Sequence, residues 1–185
     1  MAAETRTPRA AWVEAGLHAL AISGPDAVRV EALARTLGVT KGGFYGHFGD
    51  RNAFLAEMLD AWERESTDDV VERVEREGGD VRVKLRRAGT LTLSTERLLP
   101  IDLAIRDWAR RDPQVATRLH RVDNRRMDYL RTLFTQLRPH ASASDTEARC
   151  LLAFSLLIGD HFIAAGHKSW TRIEILARAM AVLEA

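Results

Sequence analysis

The sequence predicts an all-α protein. Apolar residues recur at helical spacing through nearly all of the 185 residues, and no stretch longer than a few residues alternates apolar and polar as a half-buried strand would. Because 46% of the residues are hydrophobic and 29% are charged, the chain is expected to fold around an apolar core and not to be disordered. The length corresponds to one large domain or two small ones.

Four helices are predicted in the N-terminal third. The first covers about residues 8–22, and the second begins at about Val30 and ends at Gly38, a residue type that adopts the left-handed conformation closing a helix. Thr40 is placed to cap the third helix, and Asp50 is placed to cap the fourth. The fourth helix has an apolar stripe formed by Phe54, Leu55, Met58, Leu59 and Trp62.

A charge-dense segment that ends in Gly78-Gly79-Asp80 follows these helices. We place the domain boundary there, which predicts one domain over residues 5–65 and a second over residues 66–185. Helical patterning in the second domain resumes at Val81 and breaks near Pro100.

Three further helix starts are marked by capping residues. Asp112-Pro113 predicts the start of a helix that Pro139 ends. Two capping boxes predict the starts of the last two helices, Ser144 with Glu147 and Thr171 with Glu174.

Composition excludes several classes of protein. The single cysteine cannot form an internal disulfide or a cysteine-rich zinc site, and the N-terminal residues lack the apolar core of a secretory signal. The longest apolar run, residues 151–158, is too short to cross a bilayer, so we expect a cytoplasmic protein. The 27 basic and 26 acidic residues leave a formal net charge of +1, which by itself argues against a nucleic-acid partner.

The most informative segment is VEALARTLGVTKGGFYGHFGDR, residues 30–51, which predicts a helix, a tight turn and a second helix. Gly42, Gly43 and Gly46 cost the second helix about 1 kcal/mol each relative to alanine. Glycine permits close backbone approach to a partner, and a helix N-terminus beside Thr40 and Lys41 attracts phosphate. The alternative is a glycine-rich loop that only connects two helices.

Residues from about 8 to 62 resemble the DNA-binding domain of the TetR family of bacterial transcriptional regulators, with LARTLGVTKGGFYGHFGDRNAFL matching its helix-turn-helix signature. The resemblance implies an N-terminal three-helix DNA-binding domain whose third helix enters the major groove, with Lys41 and Gly42 nearest the base edges. It also implies that phosphates are contacted by Thr40, Tyr45, His47 and Arg51.

Three positions depart from the usual signature. Arg29 replaces the customary capping Ser or Thr and still permits a phosphate contact, while Gly43 and Gly46 lack side chains that could read bases. We therefore expect specificity to depend on Lys41 and on DNA shape. The predicted DNA-binding residues are Arg29, Thr40, Lys41, Gly42, Gly43, Tyr45, His47 and Arg51.

The resemblance further implies a C-terminal helical domain that binds a small molecule and dimerises through the helices at about residues 144–165 and 171–184. Residues 151–158 are apolar all round, which favours a partner helix from a second subunit over the alternative, the central helix of a monomeric core. Candidates for lining a ligand pocket, each with plain core packing as the alternative, are Trp108, Tyr129, Phe134, Phe154 and His161.

Other chemistry is not indicated. The histidines lack the paired spacing of a zinc site and no nucleotide-binding phosphate loop is present, so we expect no metal and no cofactor. Cys150 is expected to be an inert core thiol. A series of arginines on one helix is expected to form a solvated face, with an anionic-ligand site as the alternative: Arg118, Arg121, Arg125, Arg126 and Arg131.

The sequence therefore predicts a homodimeric repressor, and not an enzyme, that binds a palindromic operator and is released by a small ligand. Residues 29–51 carry four basic against two acidic side chains, so this segment is basic although the whole chain is nearly neutral. Two other classes stay open. One is a helical small-molecule binder or enzyme with a vestigial helix-turn-helix, and the other is a helical protein whose partner is another protein.

Overall fold

A computed structural model describes residues 7–92 and 97–185. Every regular element in these residues is helical, as the sequence predicts. The α-helices in chain order are α1 Arg9–Ser23, α2 Val30–Thr36, α3 Lys41–Tyr45, α4 Arg51–Ser66, α5 Asp68–Glu77, α6 Val81–Thr92, α7 Leu98–Ala109, α8 Pro113–Leu137, α9 Ala143–Gly159 and α10 Arg172–Glu184. Two single-turn 3₁₀ helices, Pro25–Ala27 and Asp160–Phe162, follow α1 and α9.

Several predicted helix ends are confirmed. Gly24 and Gly38 have φ of +74° and +68°, so each occupies the left-handed region just beyond a helix end. The Asp50 carboxylate accepts a 2.8 Å hydrogen bond from the backbone N–H of Ala53, and Asp112 caps the first turn of α8 in the same way. The capping box of Thr171 and Glu174 is present at the start of α10.

Two other predictions about helices are wrong, and a third is refined. The charge-dense segment contains α5, in which Val70 and Val74 are buried, so its charges form the exposed face of an amphipathic helix. A helix boundary does lie near Pro100, since α7 begins at Leu98, and Pro100 itself lies in the first turn of α7, where a proline N–H is not required. The cap of α9 is Ser142, whose hydroxyl accepts from the Asp145 N–H at 3.1 Å, and not Ser144.

The described residues form two compact units. The first takes residues 7–69 and 97–122, and the second takes residues 70–92 and 123–185. The sequence predicts two functional domains, over residues 5–65 and 66–185, and this division stays a prediction. Residues 5 and 6 lie outside the described part. Packing places α7 in the first unit because Ile101 and Ile105 are buried in the same core as α1 and α4.

The first unit is built on a core of large aromatic and aliphatic side chains. Gly16 lets α4 approach α1 closely, because a Cβ there would lie 2.6 Å from Met58 Sδ. Arg97, at the start of α7, forms ion pairs with Glu14 of α1 and Glu65 of α4. The largest fully buried side chains of this core are Trp12, Leu17, Leu20, Phe44, Phe48, Phe54, Met58, Trp62 and Ile105.

The second unit has two smaller buried clusters. One contains Val70, Val74 and Ala88, and the other is formed by Leu85, Leu130, Leu133, Phe134, Cys150 and Ala153. Burial raises the pKa of the Cys150 thiol to about 11, as expected of an inert core thiol. At the end of α10 the buried carboxylate of Glu184 accepts a 2.8 Å hydrogen bond from Arg86 of α6, which ties these two helices together.

Candidate nucleic-acid interface

The turn between α2 and α3 places the start of α3 on the surface of the first unit. A Cβ at Gly38 would meet no neighbouring atom, so crowding does not require glycine there. The positive φ of Gly38 does, because other residues rarely adopt it. The Val39 N–H donates to the Ala34 carbonyl at 2.9 Å, and the Val39 side chain packs against the core. The chain thus reverses within a few residues, as the helix-turn-helix prediction requires.

One side of α3 is anchored by Phe44. Its ring is fully buried and makes edge contacts with Trp12 and Phe54, with centroids 5.4 and 5.1 Å away. Lys41, Gly42 and Tyr45, which the sequence predicts to contact DNA, are exposed. α3 therefore presents a polar and glycine-rich surface to solvent while the aromatic core fixes its orientation.

The ammonium of Lys41 is engaged by another helix. Its Nζ lies 3.0 Å from Oε1 of Glu31 on α2, and the side chains are 57% and 59% exposed. The hydrogen bond from Lys41 holds the pKa of the Glu31 carboxyl below its ordinary value. Sequence reasoning missed this partner, since ten residues separate the pair and the only available signal was their opposite charge.

Four predicted positions lie around the starts of α2 and α3. Thr40 has the extended backbone of an N-cap residue, but its side chain makes no capping hydrogen bond to any described residue, so the predicted side-chain cap is wrong. Arg29, at the N-cap of α2, donates from Nε to the Asp26 carbonyl at 3.0 Å. Gly42 and Gly43 have ordinary φ, and a Cβ on either would meet its nearest neighbour at 3.7 or 3.8 Å, so neither is required by crowding.

Arg51 has a structural role that the sequence prediction missed. Its Nε donates to the Val28 carbonyl and its Nη2 to the Pro25 carbonyl, both at 3.0 Å. These bonds attach the start of α4 to the segment that leads into α2. Arginine has five N–H donors, so three of them make no hydrogen bond to another described residue and can still serve a phosphate.

His47 also makes contacts inside the first unit. Its Nε2 lies 2.9 Å from the Thr7 carbonyl, where it donates, and its own carbonyl accepts from the Arg9 guanidinium. Arg9 in turn bonds Glu57 and lies 4.6 Å above the ring of Phe48. His47 thus fastens the segment before α1 beside α3, and this was not visible from residue spacing.

Three of the five predicted pocket residues share one cluster of the second unit: Phe134 is buried in it, and Tyr129 and Phe154 pack against it. Trp108 lies in the first unit, partly buried against its core, and Phe134 is fully buried in the second. The Tyr129 hydroxyl donates to Glu75 at 2.8 Å, Phe154 packs partly buried against the core, and His161 is exposed. None of the five lines the apolar cavity described next.

A cavity of about 440 Å³ lies on the second unit between α6, α9 and α10. Its polar side chains are Arg86 and Thr90, and the described lining contains no aromatic ring and no carboxylate. The remaining lining residues are Leu85, Gly89, Leu157, Ile173, Leu176, Ala177 and Met180. Sequence reasoning missed this site because it searched for aromatic residues.

The arginines on α8 are not a simple solvated face. In the first unit Arg121 Nη2 lies 2.7 Å from Oε1 of Glu63, and Arg118 reaches the same carboxylate at 3.0 Å. In the second unit Arg131 bonds Glu147, and Arg126 is buried. Arg121 and Arg125 are exposed, as predicted of a solvated face, whereas Arg118 and Arg131 are half-buried in ion pairs and Arg126 is buried, so the prediction holds for part of the series.

Apolar side chains on the last two helices are exposed. Leu151 and Leu152 of α9 are 58% and 56% exposed, and Ile173 of α10 is 79% exposed. The run over residues 151–158 is therefore not enclosed by its own chain. An exposed set of large apolar side chains of this kind is typical of a protein-protein interface.

In the part of the chain that the structure describes, no helix combines the length and the apolarity needed to cross a bilayer.

Comparison with known proteins connects this geometry to a family. Residues 13–58, from α1 into α4, match the family model for bacterial regulatory proteins of the tetR family. No curated protein matches the chain.

Solved structures share the fold across almost the whole length. A putative transcriptional regulator from Saccharomonospora viridis, in complex with choline, superposes with a TM-score of 0.76 at 18% identity, covering 95% of each chain. A putative TetR-family transcriptional regulator from a Rhodococcus species has a TM-score of 0.68 at 23% identity, covering 95% of this chain and 97% of that one. The helix-turn-helix of α2 and α3 lies within the match over residues 13–58, so this part of the chain is similar to the N-terminal region of tetR-family bacterial regulatory proteins, and the solved structures share its all-helical fold.

Proposed function

We propose that this protein is a DNA-binding transcriptional regulator of the TetR family, a ligand-released repressor that binds a palindromic operator as a homodimer. The observation that carries the proposal is the presentation of α3: Phe44 is buried while Lys41, Gly42 and Tyr45 are exposed on the surface of the first unit. Recognition by α3 in each of two subunits accounts for a two-fold symmetric site.

Some of the proposed DNA contacts read bases, and others bind phosphates and position the protein. Lys41 is proposed to donate to a guanine edge, and the missing side chains of Gly42 and Gly43 allow the backbone of α3 to approach the groove. Phosphates are proposed to be bound by the Thr40 and Tyr45 hydroxyls and by the charged or polar groups that flank α3, namely Arg29, His47 and Arg51. Because Arg51 and His47 also hold the first unit together, they connect phosphate contact to the position of α3.

Dimerisation is proposed to use α9 and α10. The exposed Leu151, Leu152 and Ile173 would lose their contact with water against the same helices of a second copy, and a two-fold axis makes one patch complementary to itself. Two α3 helices must then lie one turn of DNA apart, roughly 34–36 Å. A ligand that favours a different separation releases the protein, provided that it binds the two forms with different affinity.

The effector is proposed to bind the cavity between α6, α9 and α10. The related fold from Saccharomonospora viridis holds choline, a cation, but this cavity has the Arg86 guanidinium and no described carboxylate or aromatic ring in its lining. A quaternary ammonium would therefore find neither a counter-charge nor an aromatic cage. Because the Arg86 guanidinium is already paired with Glu184, we expect an uncharged effector with an apolar body.

The operator is found by selecting duplex fragments of the source genome with the purified protein. We expect an enriched palindrome whose affinity decreases steeply with salt, because several phosphate contacts release counterions. Lys41→Ala is the matched variant and is expected to lower both affinity and sequence preference. Absence of an enriched palindrome would contradict the proposal. Unchanged binding by Lys41→Ala would contradict the role assigned to Lys41.

A further inference from the structure

Glu31 is the acidic side chain placed against the proposed DNA-reading lysine. It lies in the first turn of α2, next to Arg29 in sequence, and its Oε1 is 3.0 Å from Nζ of Lys41. Both partners are more than half exposed, so the pair sits on the surface that α2 and α3 present to solvent. No packing requirement holds a carboxylate at this position.

An exposed pair of this kind is weak. Lysine and glutamate in water stabilise each other by about 0.2–1 kcal/mol, so DNA can displace the carboxylate from the ammonium. The cost of displacement is the same for every duplex to which Lys41 binds. It lowers affinity for an operator, where Lys41 moves to a base edge, and for random DNA, where Lys41 moves to a phosphate.

We propose that Glu31 is an attenuating residue that competes with DNA for the Lys41 ammonium and so lowers the affinity of the protein for DNA. This inference rests on the proposed role of Lys41 in DNA binding. It assigns Glu31 the cost that a duplex bears when Lys41 moves from the carboxylate to a base edge or a phosphate.

The test compares Glu31→Gln, Lys41→Ala and the double variant in the full-length protein. Binding is measured by fluorescence anisotropy against a labelled duplex of random sequence and against the fragment enriched by selection, over a range of salt. Glu72→Gln is the matched control, since Glu72 of α5 forms a similarly exposed ion pair with Arg76 at 3.3 Å and lies in the other unit. It removes the same charge without freeing Lys41.

Glu31→Gln is expected to tighten operator binding about two- to fivefold at low salt, because Lys41 no longer has to leave a carboxylate, and to tighten binding to the random duplex by as much or less. The random-duplex salt dependence becomes steeper by up to about 0.9 per subunit, because Lys41 then releases one more counterion. In the Lys41→Ala background, Glu31→Gln is expected to raise DNA affinity less, because it then removes only the repulsion between the carboxylate and the DNA phosphates.

Three results would overturn the inference: Glu31→Gln binds like wild type, its gain persists undiminished in the Lys41→Ala background, or Glu72→Gln gives the same gain. If the wild type and Glu31→Gln both fail to bind any duplex at low salt, the proposed function fails as well. Normal wild-type binding with an inert Glu31→Gln rejects the role of Glu31 alone.

Discussion

Replacing Gly42 and Gly43 with alanine is expected to stabilise the protein and to weaken its binding to DNA. Both glycines lie in the first turn of α3 with ordinary φ, so alanine is sterically allowed at each. A Cβ at Gly42 would lie 3.7 Å from Thr40 Oγ1, and one at Gly43 would lie 3.8 Å from Trp12 Cζ2. These are normal contact distances, and neither substitution displaces a neighbour.

The two effects can be given magnitudes. Alanine is preferred over glycine in a helix by about 0.5–1 kcal/mol, so the double variant gains about 1–2 kcal/mol of folding free energy. For a chain of this size each kcal/mol raises the melting temperature by about 2–4 °C. If the α3 backbone approaches the groove closely, two added methyl groups cost about 1–3 kcal/mol of binding free energy.

Thermal unfolding followed by circular dichroism measures the first effect, and anisotropy titration of the enriched fragment measures the second. Gly89→Ala is the control, because Gly89 lies in the middle of α6 and a Cβ there meets Leu157 Cδ1 at 3.7 Å. Gly89 lines the proposed effector cavity, so the control is measured without effector, where it is expected to raise stability in the same way and to leave DNA binding unchanged. A Gly42→Ala, Gly43→Ala variant that binds DNA as tightly as wild type would refute the close-approach argument.

Three further outcomes are expected. Gly16→Ala places a Cβ 2.6 Å from Met58 Sδ, so overpacking is expected to destabilise the protein by about 1–3 kcal/mol, which thermal unfolding measures; unchanged stability would show that α1 and α4 can separate freely. The hydrogen bond from Lys84 lowers the pKa of Glu75 in the folded state, so Glu75 stabilises the fold above its ordinary pKa and this contribution is lost as the pH falls through the lowered value. Urea unfolding is therefore expected to show Glu75→Gln less stable than wild type at neutral pH, with the difference disappearing in acid; an equal deficit at every pH contradicts the assignment. Leu152→Glu is expected to give monomers by light scattering while circular dichroism stays native, and persistent dimers would place the interface elsewhere.

Local rules predicted most of the helices. Gly38 ends α2 and Asp50 starts α4 because a positive φ and a capping hydrogen bond involve only residues a few positions apart. The start of α9 shows where such rules fail. Ser142 and Ser144 are both suitable caps, and the Glu147 needed for the predicted box is instead bonded to Arg131 of α8.

The candidate site also combines features that the sequence predicts with features that depend on tertiary structure. The sequence by itself determined an all-α chain, the helix-turn-helix and the glycine-rich start of α3, since periodicity, turns and caps are encoded locally. Only the tertiary structure decided that Lys41 faces Glu31, that Arg51 holds the segment before α2, and that the cavity lies between α6, α9 and α10. These partners are distant in sequence, and their side chains meet only because the buried cores fix how the helices pack.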